Sequence, residues 1–210
     1  MKWYINAAAV AVFLLVHGAA EAKTIETLNQ NEFMTAESMD AGMAQTGAHF
    51  TLGEGYQSFY PAFRFGAGAF VEFGLRVGVT SADVGAEDKL ATLIGGDVKY
   101  QLVKQTDGVP VDMAVDLGFD NHFLSGKNVS ELTFSVLFSR SFPLVDRGYK
   151  LTPYGGLELA SLYGSYLNDN KTDFYLFGGI EWKMTQKSMF YVELKAGDNV
   201  LGGIGVRFEY

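Results

Sequence analysis

From about residue 41 to the C-terminus, apolar residues alternate with polar or small residues in segments of about ten. The clearest segment runs from Val71 to Thr80. One of its faces carries five apolar side chains: Val71, Phe73, Leu75, Val77 and Val79. Because successive side chains of a β-strand point to opposite faces, this pattern predicts strands with one apolar face. Such strands are stable only in a sheet that keeps this face away from water.

Ten segments follow the pattern, and clusters of glycine, aspartate, asparagine and proline separate them, as expected for turns. The predicted strands are Ala41–Leu52, Tyr56–Phe65, Val71–Thr80, Leu90–Leu102, Val111–Asp120, Glu131–Ser139, Tyr149–Leu162, Phe174–Lys183, Phe190–Lys195 and Gly203–Tyr210. Phe177 breaks the alternation within its segment. The sequence therefore predicts an all-β fold of about ten strands, with eight as the alternative.

The N-terminus has the three parts of an export signal. Lys2 supplies a positive charge, Ala7–Val16 is apolar, and Ala20-Glu21-Ala22 places small residues where a signal peptidase reads them. We predict that residues 1–22 are a signal peptide cleaved after Ala22. The alternative is an uncleaved anchor, but the apolar run is shorter than the ~20 residues that a spanning helix needs.

The alternation itself leaves open which face points outward. A soluble barrel or sandwich hides its apolar face, whereas a membrane barrel turns that face toward lipid. Here the apolar faces are uniformly large and aromatic, while the opposite faces combine glycine with charges of both signs. With the export signal, this predicts a closed antiparallel transmembrane β-barrel over residues 41–210, preceded by a polar periplasmic lead-in segment, residues 23–40. A secreted lipocalin-like barrel is the soluble alternative.

The polar faces of the predicted strands would line the lumen. They carry Arg64, Glu72, Arg76, Asp97, Lys99, Asp112, Asp116, Glu131, Glu158, Glu181, Lys183, Glu193, Lys195, Arg207 and Glu209. Charges in a narrow lumen must be paired or hydrated. Two interpretations follow: a salt-bridged network that fills the lumen, or a polar passage that favours cations.

Other kinds of site find little support. A net charge of −8 argues against a nucleic-acid partner, and the absence of cysteine excludes disulfides and thiol chemistry. His49 lies on a polar face, and His122 lies in a predicted loop near Ser125 and Asp120, without the spacing of a known hydrolase motif. Oxygen-rich loops can hold calcium, but two such loops lack the EF-hand spacing: Asp83, Glu87 and Asp88 in one, Asn168, Asp169, Asn170 and Asp173 in the other. We predict no catalytic residue, metal or cofactor.

The last strand carries a recognisable signature. Ile204, Val206, Phe208 and Tyr210 alternate back from the terminal aromatic residue. This resembles the strand by which outer-membrane barrels are recognised for assembly. Residues 41–210 as a whole resemble the small outer-membrane β-barrel proteins of the OmpA/OmpX type. The resemblance implies the outer membrane of a Gram-negative bacterium as the location, and membrane lipid and the barrel-assembly machinery as partners.

Three functions remain open at this point: a non-enzymatic barrel with a filled lumen and a structural or surface-interaction role, a narrow porin-like channel for small solutes, and a lipid-modifying barrel enzyme. An even number of strands places both termini on one side of the membrane. We therefore expect the connections Ser81–Lys89, Asn121–Asn128 and Tyr163–Lys171 to face outward, and Gly66–Gly68 and Thr185–Lys187 to face the periplasm.

Overall fold

The computed structural model describes residue 30 and residues 32–53, 55–84, 87–106, 108–124, 127–144, 149–165 and 170–210. The predicted signal peptide lies outside these residues. The described chain forms eleven strands: β1 (Ala44–Gly53), β2 (Tyr56–Gly68), β3 (Val71–Val84), β4 (Glu87–Val103), β5 (Asp112–Leu124), β6 (Lys127–Ser139), β7 (Phe142–Leu144), β8 (Tyr149–Gly164), β9 (Lys171–Lys183), β10 (Ser188–Ala196) and β11 (Val200–Glu209). None of the described residues belongs to a helix long and apolar enough to span a membrane.

Ten of these strands close into a barrel. Each pairs antiparallel with its neighbours in chain order, β6 pairs with β8, and β1 pairs with β11. The three residues of β7 pair only with the start of β8. Closure leaves no unpaired edge among the ten long strands, so the backbone groups of the wall are satisfied within the ring. The prediction of a closed antiparallel barrel of ten strands is confirmed.

The apolar faces of the strands point away from the lumen. Leu75, Leu176 and Phe174 are each more than half exposed. They belong to a belt that surrounds the barrel and includes Phe59, Phe63, Phe73, Val77, Ile94, Val98, Leu117, Phe119, Phe134, Phe138, Leu157, Leu159, Ile180, Leu194, Ile204 and Phe208. Monomeric soluble proteins rarely expose a continuous apolar surface of this extent, whereas lipid requires one. The barrel is therefore a transmembrane one, and the lipocalin-like alternative is excluded.

The strands are longer than predicted at the end of the barrel opposite the termini. There β3 and β4 continue to the pairs Asp83↔Asp88 and Val84↔Glu87, and β5 and β6 continue to Leu124↔Lys127. The predicted bounds of the connections Ser81–Lys89 and Asn121–Asn128 are therefore wrong, since only residues 85–86 and 125–126 connect these strands. That they face outward stays a prediction. At the other end, which we call the termini end, the connections 104–111 and 140–148 are the longer ones.

Two features of the inner wall depart from simple alternation. Phe177 points into the lumen and is 3% exposed, which explains why it interrupts the apolar face of β9. The lumen wall also becomes apolar near the end opposite the termini, where a buried cluster combines inward-facing side chains from seven strands: Tyr56, Ala82, Ala91, Leu124, Val129, Leu162 and Leu201. The polar part of the lumen is therefore covered by an apolar layer at this end.

Candidate functional site

The charged side chains that alternate with the lipid-facing ones point into the lumen. Eleven of the fifteen charges predicted for the polar faces are almost fully buried inside the barrel: Glu72, Asp97, Lys99, Asp112, Asp116, Glu131, Glu158, Glu181, Glu193, Lys195 and Arg207. The side chain of Arg76 is 10% exposed and that of Lys183 is 24% exposed. Arg64 is buried as well, and Glu209 is partly covered at the termini end.

One network of ion pairs crosses β2, β3, β4 and β5. Arg64 contacts the carboxylate of Glu72 through Nε, and its Nη2 lies 2.6 Å from Oδ2 of Asp97. Lys99 Nζ lies 3.1 Å from the second oxygen of Glu72. Arg76 binds Asp120 with two parallel hydrogen bonds of 2.6 and 2.8 Å. Such bidentate pairs fix geometry as well as charge, so this side of the lumen is held rigidly.

A second group of contacts lines β8, β10 and β11. Lys195 Nζ lies 2.6 Å from Oε2 of Glu158, and both side chains are 0% exposed. Tyr154 donates a hydrogen bond to Glu193 over 2.9 Å. Arg207 donates from Nε to Nε2 of His49 over 3.2 Å and packs its guanidinium 4.6 Å from the ring centre of Tyr191. The charges on this side are therefore compensated by aromatic hydroxyls and rings as well as by opposite charges.

Some buried polar atoms have no hydrogen-bond partner among the described residues. They are both carboxylate oxygens of Glu131, both ring nitrogens of His122, Nδ1 of His49, Oδ1 of Asp116 and the hydroxyls of Thr51 and Thr80. Burying a polar group without a hydrogen bond costs free energy, so these atoms are the least favourably buried polar groups of the described lumen.

The lumen also contains the described part of the chain that precedes β1. We call residue 30 and residues 32–38 the lumen segment. Phe33, Met34 and Ala36 are at most 1% exposed, and they pack against wall side chains that include Tyr60, Ala114, Leu137, Tyr154, Phe177, Met189 and Tyr191. The sequence pattern alone predicts a periplasmic lead-in for residues 23–40. The structure differs for the lumen segment, which lies within the barrel.

The wall holds this segment mainly by its backbone. The carboxylate of Glu193 accepts hydrogen bonds from the N–H groups of Glu32 and Phe33, at 2.8 and 2.7 Å. Lys99 donates to the carbonyls of Thr35 and Glu37, both at 2.9 Å.

Four further wall side chains continue this row of contacts along the segment. Lys195 donates to the carbonyl of Gln30 over 2.5 Å. The N–H of Ala36 donates to the hydroxyl of Ser139, and the N–H of Ser38 donates to the side-chain carbonyl of Gln101. Directly after the segment, the N–H of Met39 donates to the carboxylate of Glu72. Carboxylates accept from N–H groups and ammonium groups donate to carbonyls, so the contacts are complementary to the main chain of the segment.

A single aromatic side chain of the segment occupies a defined pocket. Phe33 stacks on His49 with ring centres 4.9 Å apart and planes 15° apart. Opposite this pair, β11 carries Gly203 and Gly205. A Cβ atom at Gly203 would collide with the ring of Phe33, and one at Gly205 would collide with His49. The pocket therefore exists because these two wall positions lack side chains.

The termini end of the lumen opens into a cleft of about 240 Å³. It is lined by side chains of both charges from the segment and the wall, among them Glu37, Asp40, Lys104, Lys150, Glu181, Lys183 and Glu209. Lys150 pairs with Glu37, which anchors the end of the segment to β8. The cleft ends where the lumen segment fills the barrel.

The candidate catalytic and metal residues that the structure describes do not assemble into a recognised centre, and Asn168 and Asp169 of the second oxygen-rich loop lie outside the described residues. His122 was predicted in a loop, but it lies on the inner face of β5, fully buried. The neighbouring Asp120 is engaged by Arg76, and Ser125 lies outside the described residues. Asp173 pairs with Lys171 at 3.2 Å. Within the described ranges, no group of three or more metal-ligating side chains occurs.

The residues of the predicted assembly signal lie on and directly after β11. Ile204, Val206 and Phe208 alternate along its outer face, Tyr210 follows its last residue, and all four are exposed. Tyr210 also contacts β1, where its hydroxyl lies 2.9 Å from Oγ1 of Thr46. Their role in assembly remains a prediction.

Sequence reasoning did not find the residues of the lumen segment, because its contacts use backbone groups that have no side-chain pattern. The one available signal was the glycine pair of β11. Gly203 and Gly205 lie two residues apart on the inner face, where they leave a gap that another part of the chain must fill.

No protein-family model matches the sequence, and no curated protein matches it. Several solved structures do. The N-terminal β-barrel domain of OprF from Pseudomonas aeruginosa shares 13% identity with a TM-score of 0.41, covering 82% of this chain and 100% of that one. The β-domain of the Bordetella autotransporter BrkA shares 12% identity with a TM-score of 0.49, covering 81% and 100%. The KdgM porin shares 15% identity with a TM-score of 0.37, covering 78% and 98%.

Proposed function

We propose that this chain is a non-enzymatic barrel of the outer membrane of a Gram-negative bacterium, and that its lumen is closed in the resting state. The observation that carries the proposal is the lumen segment, which fills the barrel between the ion-pair network and the aromatic wall. A barrel of about eight to ten strands has little more internal space than its own side chains need. A segment of main chain in that space leaves no room for a solute, which favours a structural or surface-interaction role.

Planar-bilayer recording tests this proposal. The mature protein, beginning at Lys23, should give no stable conductance steps when reconstituted. The double variant Glu193→Ala/Lys99→Ala removes the partners of four backbone hydrogen bonds of the segment. It should produce brief openings, because the segment is then held less firmly. Steady conductance of the unaltered protein would overturn the proposal.

A porin-like channel is the second candidate, and the charge of the lumen favours it. Glu131 has no partner among the described residues, and acids outnumber bases along the inner faces. If the lumen segment leaves the barrel, the exposed lumen would attract cations. Steady channels of the unaltered protein that select K⁺ over Cl⁻ would identify this function.

The third candidate, a lipid-modifying enzyme, has the weakest support. His122 faces the lumen beside Leu93 and Val129, its register partners on β4 and β6, and it lies on the opposite side of the wall from the lipid. A hydrolase would need this ring to reach a substrate. Release of fatty acid by the purified protein, and its loss in His122→Ala, would support this role.

We also propose that β11 is the strand recognised during assembly. The outward alternation of Ile204, Val206, Phe208 and Tyr210 supports this proposal, because these side chains offer a continuous apolar face to a membrane-embedded receptor. Tyr210→Ala should slow assembly in cells, while spontaneous folding into detergent micelles should be unchanged. Equal effects in both settings would indicate a purely structural role.

A further inference from the structure

The polar groups that line the lumen are suited to binding the main chain of a peptide. The wall presents carboxylates to N–H groups and ammonium groups to carbonyls over the length of the lumen segment. The carboxylate of Glu193 accepts hydrogen bonds from two consecutive N–H groups, and the ammonium group of Lys99 donates hydrogen bonds to two carbonyls. Main-chain groups are common to every peptide, so these contacts fix the path of an occupant. Wall side chains also bind side chains of the segment: Ser58 donates to Gln30, Ser135 donates to Glu32, and Lys150 pairs with Glu37.

The Phe33 pocket adds selectivity to this path. The ring is fully buried, it stacks on His49, and the missing side chain of Gly203 makes the space that it fills. Phe33 has a φ of 45°, in the left-handed region that bulky residues avoid. A conformation of this kind persists only where the surroundings hold it, so the pocket and Glu193 together determine the backbone here.

The segment has no covalent tie to the wall other than its continuation into β1. That continuation passes through Ala41 and Gly42, which are exposed at the termini end. A Cβ atom at Gly42 would have no neighbour within 4 Å, and the contact of this residue with the wall is a hydrogen bond of 2.8 Å from its N–H to the carbonyl of Gly66. The contacts that keep the segment in place are therefore those of a non-covalent ligand.

We infer that the lumen is a binding site for a peptide segment with one aromatic side chain, and that the lumen segment is the resident, exchangeable occupant of this site. A peptide from another chain can take its place when it offers an aromatic residue at the position of Phe33. This inference rests on the proposed function, because it identifies what closes the lumen and what could replace it.

A cleavage experiment on the folded protein tests the inference. A recognition sequence for a site-specific protease is inserted between Ala41 and Gly42, and the protein is folded into lipid vesicles before cleavage. A difference in gel migration between unheated and boiled samples shows that the barrel stays folded. The cleaved barrel is then incubated, in urea too dilute to unfold it, with a fluorescent peptide of residues 30–40, and binding is followed by anisotropy.

The peptide should bind saturably, one per barrel. The same peptide with Phe33→Ala should bind at least about tenfold more weakly, since the loss of a buried aromatic ring costs more than 1.4 kcal/mol. The Phe33→Tyr peptide is the conservative control and should bind better than the alanine peptide. Failure of the labelled peptide to enter the folded, cleaved barrel would overturn the inference, and so would equal binding of the phenylalanine and alanine peptides.

The two proposals fail in different ways. Steady conductance of the uncleaved protein would contradict a closed lumen, whatever the peptide does. A closed, non-conducting barrel that never exchanges its segment would leave the proposed function intact and contradict only the peptide-binding inference.

Discussion

Lys195 on β10 and Glu158 on β8 form an ion pair of 2.6 Å in which both side chains are completely removed from solvent. They lie on strands separated by β9, so the pair spans the curvature of the wall inside the lumen. Lys195 also reaches the carbonyl of Gln30. This one ammonium group therefore connects the wall to the lumen segment.

Breaking this pair should destabilise the barrel strongly. Glu158→Gln leaves the ammonium of Lys195 buried with less compensation, and the loss of one partner of a buried pair costs ~3–5 kcal/mol. Unfolding by urea in lipid vesicles measures this change. The double variant Glu158→Leu/Lys195→Met removes both charges and should be more stable than Glu158→Gln alone. If the single variant matched the stability of the unaltered protein, the pair would not be buried as described.

A charge on the outer wall should oppose insertion into the membrane. Leu117 lies near the middle of β5, and its register partners Val98 and Phe134 are also exposed toward lipid. Leu117→Arg should cost ~2–4 kcal/mol in the free energy of folding into vesicles, the value for arginine at the midplane of a barrel. Leu117→Phe is the matched control and should be close to neutral. Equal stability of the two variants would place this face away from the hydrocarbon.

The sides of the membrane can be assigned with single cysteines, because the chain has none of its own. Asn170 is exposed at the end of the barrel opposite the termini, and Gln186 is exposed at the termini end. Asn170→Cys should react with an impermeant thiol reagent on intact cells, whereas Gln186→Cys should react only after the outer membrane is breached. The reverse pattern would invert the orientation.

The wall of the barrel could be predicted from the sequence because lipid imposes a simple rule. Each strand must keep apolar side chains on one face, so segments such as Val71–Thr80 show the two-residue period of a β-strand directly in the sequence. Strand ends were harder to place. Near Asp83 and Asn121 the strands extend beyond the predicted segments. Inward positions such as Leu124 are apolar there, so the contrast between the two faces is lost although the hydrogen-bonded ladder continues.

The filling of the lumen could be predicted only in part. Charges such as Glu72 and Lys99 lie where the strand period places them, but their partners depend on how the wall curves. The lumen segment has no period, since Glu193 and Lys99 bind its backbone and not a pattern of side chains. Phe177 appeared as an irregularity in the sequence, and the structure accounts for it by placing the ring inside the lumen.

The presence of the segment inside the barrel is the central claim, and a disulfide tests it most directly. The N–H of Ala36 lies 3.1 Å from Oγ of Ser139 on the inner face of β6, while the adjacent Phe138 points toward lipid. Disulfides form only when the two Cβ atoms come within about 4.5 Å. We predict that Ala36→Cys/Ser139→Cys, folded in vesicles and mildly oxidised, forms an intramolecular disulfide visible on a non-reducing gel, and that Ala36→Cys/Phe138→Cys does not. Absence of the first disulfide, or equal yields from the two pairs, would contradict a lumen occupied by this segment.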